Sequence, residues 1–441
     1  MGLTDLLLWT FTIKISNKMT SKTQSDEPNK NIDQPTSSSN NAAAIAVNVI
    51  CTLLTSTSMG MLAILVPVQL VSLNFSDSTI GAILSFETIA SLIICLFIPN
   101  FLKIAGLKIG LLMSTLIRVP TVFIFPYFDT LDMLAPAIFF HAVGCYTLFL
   151  LLQIWINTIQ FDKNKGLMIA FYSTAISVGF ALGPIIINIL ATYAVPLAAF
   201  VNPILDVSTE FFGKAPVVEN APLFVVAALL STCSIVPLLL YLPNIPQLKF
   251  NGNASIFKTI KENKGAMFSI SMAGVSQFGV AAFITIYGMK NGLSLSDSAL
   301  LLTTFMMGSL LLEIPIAWLS DRYDRRYLIV WCSVACMICA AYLPLAIYTP
   351  IHAWSLVFIW GGVIAGIYSI SLAIIGEKYS DNDEMIASNA GYSLMESIGG
   401  VFGIVAIGFS MQYLGSDGMP YVIMFASILY FSFALTRYPI K

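Results

Sequence analysis

Five ionisable side chains sit inside long apolar stretches of this sequence: Glu87, Arg118, His141, Glu313 and Glu396. A charged group at the centre of a hydrocarbon layer costs about 2.5–3.5 kcal/mol even on a lenient scale. Such groups persist where they bind an ion, a proton or a polar solute, or where they pair with one another. A second pattern, Cys332, Cys336 and Cys339, has the C-x3-C-x2-C spacing of a radical-type iron–sulfur site. It lies in WCSVACMICAA, an apolar stretch with no loop to wrap a metal and no glycine-rich cofactor loop after it. These thiols therefore read as small apolar core residues. No Walker loop, HExxH or nucleophile elbow is written in the chain, which leaves no catalytic, metal or cofactor site to assign and argues against ATP-driven work.

The elements that must hold these side chains follow from composition. The 441 residues are 57% hydrophobic and 10% charged, whereas a soluble domain carries about a quarter charged residues. The chain belongs in a bilayer, which about 20 apolar residues cross as a helix and where backbone groups must bond within their own segment. Twelve spans are expected, at roughly 43–72, 79–100, 108–128, 131–157, 166–190, 222–243, 267–288, 296–319, 327–348, 352–376, 385–412 and 418–437. With the N-terminus inside, eighteen of the 21 lysines and arginines fall on inner segments, so the positive-inside bias places both termini in the cytoplasm. A bacterial inner membrane is the expected location. The net charge of −2 says nothing about nucleic acid, but no basic patch with interleaved aromatics is written in the chain, so no nucleic-acid partner is expected. The partners expected are the lipid bilayer, a small-molecule substrate and protons, with the protein a monomer.

The spans repeat. Ser76, Asp77 and Ser78 precede the second span as Ser296, Asp297 and Ser298 precede the eighth, an offset of 220. Their side chains suit helix N-caps. At the same offset AFYSTAISVGFALGP aligns with AGYSLMESIGGVFGI, matching Tyr172 with Tyr392, Ser177 with Ser397, Gly179 with Gly399 and Gly183 with Gly403. Two regions sharing one offset indicate two six-helix halves in parallel, related by an axis along the membrane normal. The domains expected are a polar N-terminal tail over 1–42, a half over 43–243, a cytoplasmic linker over 244–266 and a second half over 267–441. The small-x3-small pairs, with Pro184 beside the first, serve close helix packing, either ordinary packing or packing between halves that open and reclose.

These features, with IAWLSDRYDRR between spans eight and nine, resemble the major facilitator superfamily over roughly 43–437. That family's loop signature is glycine, three residues, Asp-Arg, one residue, glycine, then two basic residues. Asp321, Arg322, Arg325 and Arg326 match it, while Ala317 and Asp324 occupy the glycine positions. Glu-Ile-Pro before LSDRYDRR, and QIWINTIQFDKNKG at 153–166, look most like the YcaD-like branch, which has a glutamate where Gln153 stands. The first-half counterpart PNFLKIAGLK carries Lys103 at the signature aspartate's position and keeps Gly106 and Lys108. The resemblance implies an all-α membrane fold of twelve helices and a transporter working by alternating access.

It also implies roles. Asp321 would take part in closing the cytoplasmic side, Asp324 would pair with a neighbouring arginine, and Glu313 would belong to the same gate. Helices two, eight and eleven flank the interface between halves, and spans one, four and seven line the central cavity. Glu396, which replaces the repeat-related Ile176, is the leading substrate or proton site, followed by Glu87. Arg118 reads as the partner of a nearby acid or as a substrate contact, and His141 as a bonded interior group or a proton relay. Asn48, Thr52, Thr55 and Ser58 stripe one face of span one. With Gln153, Trp155, Asn157 and Gln277 these side chains would either form a mixed polar and aromatic pocket or serve hydrogen bonding between helices. Gly179-x3-Gly183-Pro184 resembles the core of a drug–proton antiporter motif, so the readings are a proton-coupled transporter of a small organic solute, an amphipath efflux antiporter, or a transporter-like sensor.

Overall fold

Helices carry the whole architecture of the computed structural model, which describes residues 38–158, 165–192, 194–245, 255–320, 322–376 and 382–437. No strand occurs among them. The helices are α1 (Ser38–Ser72), α2 (Asp77–Ile124), α3 (Leu131–Thr158), α4 (Lys165–Thr192), α5 (Ala194–Phe212), α6 (Ala221–Cys233) and α7 (Ile235–Tyr241). Then come α8 (Ile256–Glu262), α9 (Lys264–Lys290), α10 (Leu295–Ser320), α11 (Arg325–Ala346), α12 (Pro350–Gly376), α13 (Asn382–Leu414) and α14 (Gly418–Arg437). Ten stretches among the described residues are long and apolar enough to cross a membrane, and two shorter apolar ones, Thr174–Leu190 and Gly418–Ala434, stand at the fifth and twelfth expected spans.

The second and third spans are one continuous helical run broken at Gly106, whose φ of 69° and ψ of 174° lie outside the helical region. A Cβ is disfavoured there by the backbone alone, since no neighbouring atom crowds the position. The connection between spans five and six is also helical. This helix, α5, is pinned over the end of span three by a Tyr127–Ser208 hydroxyl pair, by Val217 N–H donating to the Pro126 carbonyl at 2.8 Å, and by Lys214 bonded to Asp129 at 2.6 Å. Lys214 holds the Asp129 carboxyl below its ordinary range. Within the segment 244–266, α8 packs beneath α13. The N-terminal tail over 1–37 and Asp321 lie outside the described residues.

The residues that carried the sequence repeat do equivalent work in the two halves. Tyr172 donates from α4 to the Phe149 carbonyl of α3 at 2.8 Å, and Tyr392 donates from α13 to the Tyr368 carbonyl of α12 at 2.6 Å. Gly179 lies where a Cβ would come within 2.5 Å of Ser56 Cβ and 2.8 Å of the Leu53 carbonyl on α1, and Gly183 faces the Gly60 backbone. Gly399 and Gly403 meet the backbones of Ser271 and Val275 on α9 in the same manner. These glycines thus close helix pairs inside each half, which is the first of the two expected readings, ordinary helix packing; the alternative of packing between the halves is not what they do.

The halves meet through other helices: α2 packs on α13, and α4 on α10. On the first seam a Cβ at Gly408 would lie 2.5 Å from the Asp77 carbonyl. On the second Asn188 donates to Ser296. The 220-residue offset carries Asp77 to Asp297 and Asn188 to Gly408, so the seams are images of one another. Lys290 adds an ion pair to Asp77. These contacts lie at the membrane face opposite the 320–325 loop, and Ser91 meets Ser397 deeper in the seam at 3.1 Å. The expected pair of SDS caps holds once only. Ser76 caps α2 by accepting from Thr79 N–H, whereas on α10 Ser294 accepts from Asp297 N–H at 3.0 Å. The helix there begins a residue earlier than the motif, which leaves Ser296 to bind across the seam.

Two outcomes follow. Gly399→Val would drive a side chain into the Ser271 carbonyl, and overpacking of this kind costs about 1–3 kcal/mol. The variant is expected to melt several degrees lower in detergent; an unchanged melting temperature would contradict this helix register. Lys290→Gln removes a part-exposed ion pair worth at most about 1 kcal/mol, or about fivefold in the conformational equilibrium. The labelling rate of a cysteine placed at Ser177, in a cysteine-free background and from the seam side, should rise by no more than that factor.

Candidate functional site

A cavity of about 350 Å³ lies between the halves, walled by parts of α1, α2, α3, α4, α9, α10, α12 and α13. Glu87 on α2 and Glu313 on α10 bring one carboxyl group from each half to it. Tyr146 on α3 points its hydroxyl at Glu87 Oε1 from 3.5 Å, and Ser369 on α12 donates to Glu313 Oε1. His141 and Gln277 also border the space. The His141 ring is held by Thr121 Oγ1 at 3.1 Å from Nδ1, by Cys145 Sγ at 3.3 Å from Nε2 and by an edge contact with Phe125. It is therefore both a bonded interior group and part of the cavity wall.

Glu313 is redirected by this placement. Expected in the cytoplasmic gate, it lines the central space instead, because it stands almost two turns before the end of α10. Within the loop itself Asp324 caps α11, accepting from Arg326 N–H at 2.9 Å. Arg322 stacks on the Trp318 ring, 3.7 Å from its centroid. Arg325 and Arg326 open α11.

Several other candidates sit away from the cavity. Glu396 is half-buried on α13 and is not among the residues that line the cavity. Trp155 is buried against Tyr241 near the opposite end of α3 from His141, and Gln153 is exposed. The contribution of span four to the cavity is Ile138, His141 and Tyr146 instead. The side chain of Asn157 lies outside the described residues.

The polar stripe of span one also faces away. Asn48 donates to the Leu152 carbonyl at 2.8 Å, Thr52 to the Asn48 carbonyl and Ser58 to the Ala227 carbonyl. The cavity receives Met59, Leu62 and Val66 from that helix. Of the two readings of this stripe, Asn48 and Ser58 follow the second, bonding between helices, and the hydrophilic cavity face is corrected. Polar groups in an apolar bundle take the nearest backbone acceptors, and those lie on the neighbouring helices.

Arg118 is fully buried. Its Nη1 donates to Ser231 Oγ at 2.8 Å, and Nη2 donates to the Ser231 carbonyl at 3.2 Å and to Ser234 Oγ at 2.5 Å. The expected acid is replaced by hydroxyls and a carbonyl of the sixth span and its continuation. Gly144 makes room for it: a Cβ there would lie 2.6 Å from Arg118 Cβ. Tyr146, Tyr368, Ser177 and Ser309 border the cavity without having been singled out. Only Ser177 carried a sequence signal, through its repeat partner Ser397.

A family model described as Major Facilitator Superfamily matches residues 49–403, with a further match over 266–440. The chain belongs to the major facilitator superfamily. An uncharacterized MFS-type transporter of Bacillus subtilis (strain 168), YfkF, is 23% identical over 294 residues, spanning 64% of this chain and 67% of that protein. Among solved structures, a mutant of the nucleoside transporter NupG superposes with a TM-score of 0.71 at 14% identity, covering 90% of this chain and 100% of that one. A bacterial homologue of the human lysosomal transporter Spinster, inward-facing and occupied, gives 0.66 at 14% identity, with coverages of 92% and 96%. Membership of this superfamily, with its apolar helices, makes the protein a multi-pass membrane transporter.

Ser231→Ala would strip the guanidinium of a buried acceptor, leaving a charged donor unsatisfied at a cost of about 1–3 kcal/mol or more. We expect a lower melting temperature for Ser231→Ala and partial recovery when Arg118→Met is added. Strict additivity of the two changes would deny the pairing.

Proposed function

We propose that this protein is a secondary active transporter that moves a small organic solute through the central cavity by alternating access, coupled to protons. The observation that carries the reading is the meeting of Glu87 and Glu313, one from each half, in a space otherwise largely apolar. A carboxyl group that is exposed to one side and then to the other as the halves rock can load and release a proton on each. Glu396 on α13, outside the cavity lining, is the third carboxyl group of this reading. The loop residues Asp321, Arg322, Asp324, Arg325 and Arg326 act at the cytoplasmic face, with both termini on that side of a bacterial plasma membrane. The protein works as a monomer in lipid, without a cofactor.

Aromatic side chains around the cavity, Phe125, Phe180, Phe278 and Phe305 among them, favour solutes with an apolar body and support the export of amphipathic compounds as the second reading.

The test is transport in proteoliposomes under an imposed pH gradient, using a solute found by thermal-shift screening. Glu87→Gln is expected to abolish gradient-driven accumulation at least tenfold while exchange of the solute at equal pH persists. Accumulation with unaltered pH dependence in Glu87→Gln, Glu313→Gln and Glu396→Gln alike would rule out proton coupling through these groups.

A further inference from the structure

The electrostatics of the cavity wall narrow the solute further, on the reading that this cavity is the transport site. Two carboxyl groups border it, and no lysine or arginine does among the described residues. The nearest buried cation, Arg118, is turned away and bonded to Ser231 and Ser234. An organic anion would find no fixed positive charge there. A polyol would leave most of its hydroxyls facing Phe, Met, Ile and Leu side chains, each unmet group costing free energy.

A cation with an apolar body meets neither difficulty. Its charge is balanced by Glu87 or Glu313. Its body packs among Phe125, Phe180, Phe278 and Phe305, with the Tyr146 and Tyr368 rings completing the wall. The faces of such rings carry negative electrostatic potential, and a cation held over one gains about 0.5–2 kcal/mol. The volume suits a drug-sized body, since ligand pockets run from about 300 to 1,000 Å³.

We propose that the substrate is a lipophilic organic monocation, held between Glu87 of one half and Glu313 of the other within an aromatic lining. The two carboxyl groups make different contacts. Glu313 is anchored to α12 by Ser369, and Glu87 is approached by Tyr146. A bound cation therefore touches both moving bodies, and parting the cavity on either side changes its contacts with one of them.

The probe is tritiated tetraphenylphosphonium, bound to the full-length protein in phosphatidylcholine nanodiscs. Competitors are an aryl-trialkylammonium, an aryl sulfonate and an aryl alcohol of matched size. Saturable binding is expected, competed by the ammonium alone, and weakened at least tenfold in Glu87→Gln and in Glu313→Gln. Glu313→Asp, which keeps the charge, should retain most of the binding, so that loss through misfolding is told apart. Absent saturable binding, equal competition by the sulfonate or the alcohol, or unchanged binding in the Glu87→Gln/Glu313→Gln double variant would overturn the proposal. Cysteine labelling at position 177 from each membrane face, on the same preparations, separates the two levels. A protein that alternates but ignores the phosphonium loses its cation assignment and remains a transporter; one that does not alternate loses both.

Discussion

A hydrocarbon environment offers no hydrogen bonds, so a polar group carried into the bundle gains by finding its partner within the protein. Two sets of polar residues stand out. Asn48, Thr52, Ser58, Tyr172, Tyr392 and Arg118 are committed to carbonyls and hydroxyls on their own or neighbouring helices. They fix helix orientation inside each half. The second set stands at the central space and is small: Glu87, Glu313, His141, Gln277 and a few hydroxyls.

The same economy governs the glycines. Within each half, as between α1 and α4 or between α9 and α13, backbones touch through Gly179, Gly183, Gly399 and Gly403. Between the halves, where α2 meets α13, the close approach of Gly81 and Gly408 is joined by polar contacts, Asp77 with Lys290 and Ser91 with Ser397. The interior of each half and the seam between them are thus made from the same residue types in different company.

The spans, the duplication and the family were legible in the sequence, because burial in lipid imposes a length and an apolar composition that no later packing overrides. The repeat residues proved informative beyond expectation: Tyr172 and Tyr392 were matched as letters and turned out to make equivalent bonds. The site was less legible. Hydropathy marks Glu87 and Glu313 as costly but does not say toward which neighbour they turn. Glu313 was assigned by its nearness in sequence to the signature loop, although two helical turns carry it into the cavity wall. Asn48 through Ser58 showed a polar face, but a face can be satisfied by a neighbouring helix as well as by a cavity, and only the packing of α1 against α3 and α6 decides. Gly106 was noted as a surviving motif residue; its left-handed φ supplies a conformational reason for glycine.

The two seams are images in backbone and unlike in chemistry. One is clasped by an ion pair between Asp77 and Lys290, the other by the neutral Asn188 and Ser296. Dissolved electrolyte screens charges and leaves amide-to-hydroxyl bonds nearly untouched, so brine and fresh water load the two edges unequally. A bundle symmetric in its skeleton thus has one edge that answers to the surrounding electrolyte through this ion pair and one whose amide-to-hydroxyl clasp answers far less.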